Sequence, residues 1–160
     1  MKKFIVLVVL CFGFNTMVLA DRADDLRQSC DLGNGSSCQH LGVVYKLKKD
    51  HLQASKFYKK AAKAHKTACY SGSVSGCMSL ALIYEYGTGV KDKFKVIESY
   101  KKACELGDDR GCHVLGVMYE RGKGTREDKK EAIKYYGKAC NLKSQSGCKN
   151  YVRLNKITEK

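Results

Sequence analysis

Eight cysteines stand in four pairs, Cys30/Cys38, Cys69/Cys77, Cys104/Cys112 and Cys140/Cys148, each with seven residues between its members. Thiols at one repeated spacing can oxidise to disulfides, hold a metal, or pass electrons. Zinc sites use closer ligand spacings, and no Cys-x-x-Cys is present to lower a thiol pKa. Disulfide formation is therefore the chemistry this pattern suits. A second arrangement with chemical potential is a serine followed one helical turn later by a lysine, which could activate the hydroxyl as a nucleophile. It occurs at Ser99/Lys102 and at Ser146/Lys149. A chain with 24 lysines yields such matches by chance, and Ser99 occupies the place that Tyr135 holds in the next repeat, so an ordinary helix residue is the competing reading. The histidines His40, His51, His65 and His113 are too dispersed to form a metal centre, and no cofactor is expected.

These pairs dictate the elements that carry them. The first cysteines recur every 39, 35 and 36 residues, the period of an array of helix pairs. Within one helix, residues eight apart would lie roughly 12 Å from each other, beyond the ~7 Å a disulfide spans. The helix must break between them, and Gly33, Gly35, Gly72, Gly76, Gly107, Gly111 and Gly147 supply the breaks. Each bond then joins the end of one helix to the start of the next, antiparallel one.

The segments Leu80-Ala81-Leu82-Ile83-Tyr84-Glu85-Tyr86-Gly87-Thr88-Gly89 and Leu115-Gly116-Val117-Met118-Tyr119-Glu120-Arg121-Gly122-Lys123-Gly124 align almost residue for residue. Cys112, Leu115, Gly116 and Tyr119 fall on one helical stripe, as do Cys77, Leu80, Ala81 and Tyr84. The small residue at Gly42, Ala81 or Gly116 leaves room for a neighbouring helix. Each Gly-x-Gly should end one helix, and the second should start near Thr125 or Asp128, with Ala132, Tyr135 or Tyr136, Ala139 and Cys140 as its stripe. The first unit lacks the Gly-x-Gly, which predicts a tighter turn before Asp50 and a longer, protruding helix bearing Lys56, Lys59, Lys60, Lys63 and Lys66. After Leu154 a polar tail is expected to cap the array.

Residues 1–20 read as a secretory signal peptide: Lys2 and Lys3, the apolar run Phe4 to Phe14, and Val18-Leu19-Ala20 before Asp21. The run is too short for a membrane span, and Leu10 before Cys11 argues against a lipid anchor. Cleavage near Ala20 leaves one domain, 21–160, with an even eight cysteines, and export to an oxidising compartment, periplasmic or extracellular, agrees with their pairing. Losing the leader lysines takes the formal charge from +14 to +12. The lysines are spread through every repeat with no arginine or aromatic cluster of nucleic-acid type, which leaves a solvated basic coat or attraction to an acidic surface. The tyrosines sit mostly on the periodic faces and are assigned first to packing; some could line a ligand groove.

The strings Lys102-Ala103-Cys104-Glu105-Leu106-Gly107, Gly111-Cys112 and Leu115-Gly116-Val117-Met118-Tyr119 resemble the Sel-like repeat, a relative of the tetratricopeptide repeat. With paired cysteines and a leader, the chain closely resembles the Helicobacter cysteine-rich proteins. The resemblance implies an all-α solenoid, a right-handed α/α superhelix of about four disulfide-stapled hairpins with a concave groove. It also implies a secreted monomer that binds penicillin or a cell-wall peptide and slowly hydrolyses β-lactams, a contribution to antibiotic resistance. The residues themselves lack the Ser-x-Asn, Tyr-x-Asn and Lys-Thr-Gly elements of a serine β-lactamase. They favour the alternative, a non-catalytic scaffold whose groove holds an extended peptide or a protein and which acts on cell-wall or host partners.

Overall fold

The structure, a computed structural model, describes residues 23–158, so the expected leader and Cys11 lie outside the described residues. Eight helices and no strand are found among them: α1 (23–31), α2 (Gly35–Leu47), α3 (His51–Tyr70), α4 (Val74–Tyr86), α5 (Lys93–Glu105), α6 (Asp109–Arg121), α7 (Lys129–Asn141) and α8 (Gln145–Thr158). From α2 to α8 each helix packs chiefly on its neighbours in the chain, with lighter contacts between α3 and α5 and between α6 and α8. This is the all-α solenoid the repeat period predicts.

One corner design recurs four times. The helix ends at the first cysteine or just past it, and the third residue after that cysteine has a left-handed backbone: Gly33, Gly72, Gly107 and, with a side chain, Lys143 at φ 70°. The amide of the following residue reaches back to the carbonyl before the cysteine, Asp108 to Ala103 at 3.0 Å and Ser144 to Ala139 at 3.0 Å, which closes the helix end. At the first three corners that same following residue then caps the next helix. Asn34, Ser73 and Asp108 each accept a bond from an amide three residues on, the shortest being Asp108 from Gly111 at 2.6 Å. Four residues after the cap comes the second cysteine, and the bonds Cys30–Cys38, Cys69–Cys77, Cys104–Cys112 and Cys140–Cys148 hold Cα atoms 4.4–4.7 Å apart.

So close an approach restricts the residues before each cysteine. A Cβ on Gly76, Gly111 or Gly147 would lie 2.9, 3.0 or 2.6 Å from Cβ of Ala68, Ala103 or Ala139. The first corner has serines in both places, and Ser37 Oγ donates to Ser29 Oγ at 2.9 Å. A hydrogen bond there replaces a glycine–alanine contact.

Between corners, small residues admit aromatic rings. Tyr58 lies 3.0 Å from where a Cβ on Gly42 would be, and the buried Tyr136 ring occupies the space beside Gly116. Tyr58, Tyr100, Tyr135 and Tyr136 are all buried, and Tyr119 stacks on Tyr135 with centroids 5.5 Å apart. The core is a narrow ribbon running along the helix pairs.

The structure alters one local expectation, the protruding α3, and makes two others specific. The long α3 does not protrude bare: its extra turns bury Ala54 and Phe57, and Tyr45 stacks on Phe57 at 5.3 Å. The tight turn before it uses Lys49 at φ 61°. The two Gly-x-Gly strings, alike in sequence, fold differently: Gly122 ends α6 in the left-handed region at φ 62°, whereas Gly87 ends α4 at φ −70°, extended. At Gly87 a Cβ would meet the Ile83 carbonyl oxygen at 2.5 Å and Val90 at 2.7 Å. Asp128, not Thr125, caps α7, accepting from Glu131 N at 3.0 Å.

A candidate ligand groove between neighbouring repeats

Ser99 lies on α5, buried, and its Oγ donates to the carbonyl of Lys95 at 2.7 Å. A hydroxyl spent on its own helix is a packing device. Lys102, one turn on, shares a narrow cleft with it, but the cleft holds about 30 Å³ of space, room for about one water molecule. A β-lactam needs roughly tenfold more. Tyr70 bonds Glu98 at the cleft mouth, and Lys95 lies over the Tyr84 ring, 5.4 Å from its centroid. Ser146 and Lys149 sit in the first turn of α8, on an exposed surface.

The histidines remain apart. His113 Nε2 pairs with Asn150 Nδ2 at 3.0 Å, linking α6 to α8. His65 is buried against α2, with no hydrogen-bond partner for its Nε2 among the described residues. Burial holds its pKa below the ordinary value, partly offset by the Gly35 backbone. Among the described residues no three histidine, cysteine or acidic side chains are grouped to hold a metal.

On the other side of Tyr84 lies a groove of about 690 Å³, set where the ends of α4 and α6 meet the start of α5. Val96 and Met118, both buried, form its floor, with Tyr84 beside them. Tyr86 stands 56% exposed on the wall. Its two carboxylates are already engaged. Glu85 accepts from Lys123 Nζ at 2.5 Å. Asp92 caps α5, accepting from Phe94 N and Lys95 N at 3.1 Å, and Lys95 Nζ lies 3.1 Å away. Those bonds, the Lys95 amide first, hold the Asp92 carboxyl below the usual range.

Lys91 and Lys93, both exposed, line the same groove and have no ion-pair partner among the described residues. The groove continues past Lys93, Gly122 and Gly124 into a second hollow of about 520 Å³. Phe94, 79% exposed, and Arg126 border that extension. Sequence reasoning singled out Tyr84 but not Lys91, Lys93 or Arg126. Nothing in their local spacing marks them; only the stacking of one repeat on the next gathers them.

The Sel1 repeat matches residues 26–65, 74–108 and 110–144. Comparison with curated protein sequences gives no match. Among solved structures, c5321, a protective antigen of uropathogenic Escherichia coli strains displaying an SLR fold, is 29% identical with a TM-score of 0.55, over 78% of this chain and 26% of that one. A Sel1 repeat protein from Oxalobacter formigenes is 22% identical with a TM-score of 0.55, over 78% of this chain and 51% of its own. This chain thus spans about a quarter and about half of those two. Cysteine rich protein B of Helicobacter pylori is 31% identical over 81% of this chain and 92% of that one, with a TM-score of 0.47. The repeat matches cover well over half of the sequence, and the chain is a cysteine-rich member of the Sel1 repeat family.

Proposed function

We propose that this protein is an extracytoplasmic scaffold that binds a peptide or protein and does no chemistry on it. The observation that carries this reading is the open groove across two repeats, where apolar and aromatic surface adjoins cations and both carboxylates are engaged in structural bonds. Sel1 repeat proteins act as protein-binding scaffolds, which supports the same reading. The disulfides are consistent with an oxidising compartment, and no described helix is long and apolar enough to cross a membrane. Export with cleavage after Ala20 and a monomeric 21–160 domain belong to the proposal. N-terminal sequencing that begins at Asp21 and light scattering at monomer mass are the expected results.

β-Lactam binding and hydrolysis rest on resemblance alone, because the Ser99 hydroxyl is bonded to the Lys95 carbonyl and no base among the described residues is bonded to it. The deciding experiment pairs capture of partners by the oxidised protein with a chromogenic cephalosporin assay on the same preparation. Specific capture with a hydrolysis rate that falls away on purification is expected. A constant specific activity, with a penicilloyl adduct located by mass spectrometry, would overturn the scaffold reading.

A further inference from the structure

The groove beside Tyr84 has a chemistry that narrows its occupant. Glu85 and Asp92 are each matched by a lysine, Lys123 and Lys95, whereas Lys91, Lys93 and Arg126 have no acidic partner among the described residues. Three uncompensated cations along one rim attract carboxylates. The floor of Val96 and Met118 and the exposed rings of Tyr86 and Phe94 offer apolar surface to a ligand's side chains. The two hollows share Lys93, Gly122 and Gly124, so the site is elongated, with space for several residues of extended chain rather than one small molecule.

Resting on the scaffold reading, we infer that this groove binds an extended acidic peptide segment in which apolar or aromatic side chains alternate with carboxylates. Alternate side chains of an extended chain point to opposite faces, so one set fills the floor while flanking carboxylates reach the rim. Charge complementarity selects an acidic partner and disfavours a basic one.

Fluorescence anisotropy at about 0.15 M salt, where long-range attraction is largely screened, provides the test. The probe is a labelled nonapeptide alternating glutamate with leucine and phenylalanine. Its controls are the glutamine analogue, a serine analogue lacking the apolar residues, and polyglutamate. At least tenfold tighter binding than any control is expected. Lys91→Glu/Lys93→Glu/Arg126→Glu should lose tenfold or more, and Tyr86→Ser/Phe94→Ser several-fold. All five positions are exposed, and an unchanged circular dichroism spectrum would verify folding. Lys59→Glu/Lys63→Glu on the distant surface of α3 should change affinity less than twofold. Equal loss in that control, equal affinity for polyglutamate, or no binding of the alternating peptide overturns the assignment. Undiminished partner capture by the triple variant would also overturn it while leaving the scaffold reading intact.

Discussion

At the scale of single residues, the informative positions are those where this chain departs from its own repeat. His65 stands four residues before Cys69, the place that Tyr100 and Tyr136 take before Cys104 and Cys140. A buried imidazole resists protonation that the unfolded chain accepts near pH 6.5. Its neutral form is therefore fully compatible with the fold above about pH 6.5, and stability is lost as pH falls from there toward the lowered folded value. Urea midpoints between pH 7.5 and 5 should show that decline, and His65→Phe should flatten it; an unchanged slope would remove His65 as the cause. Lys143 holds the left-handed position that glycine occupies at the other corners. Relieving its Cβ strain with Lys143→Gly should stabilise the fold by about 1 kcal/mol, net of the entropy glycine adds to the unfolded chain. Ser99→Ala should leave any cephalosporin turnover unaltered.

At the scale of elements, the corner is the unit that sequence spacing made legible. Seven intervening residues exclude a continuous helix, and at three of the four corners a glycine, a capping residue and the second cysteine follow at fixed steps, so the hairpin could be argued without coordinates. The differing conformations of the two Gly-x-Gly strings could not, because Gly87 and Gly122 carry no local signal that separates the extended helix end from the left-handed one. The groove was illegible for a similar reason: Lys91 belongs to the turn between α4 and α5, Lys123 and Arg126 to the turn between α6 and α7, and the two turns converge only through repeat stacking. Packing at the small positions should be stringent. Gly116→Ala would push a methyl into the Tyr136 ring and should cost roughly 1–3 kcal/mol, measured by thermal melting. The four corners also differ in access. Cys30, Cys69 and Cys104 with their partners are buried, whereas Cys140 and Cys148 are partly exposed. Because exchange requires a thiolate to reach the sulfur, limiting reductant followed by alkylation should label Cys140 and Cys148 first.

At the scale of the whole molecule, a solenoid of helix pairs has only a thin ribbon of core, and every unit depends on its neighbours. A repeat domain of formal charge +12 over residues 21–160 adds repulsion to that weakness. Closing each eight-residue corner contributes about 2.5 kcal/mol by restricting the unfolded chain. Four such contributions rival the roughly 5–15 kcal/mol by which ordinary domains are stable. The stapled corners thus hold in place the repeat stacking from which the groove is made. Circular dichroism of the exported protein at 25 °C, before and after complete reduction with alkylation, tests this directly. The oxidised form should be helical and melt cooperatively, and the reduced form should lose most of its helical signal. A reduced protein with the same spectrum and the same melting temperature would contradict the account.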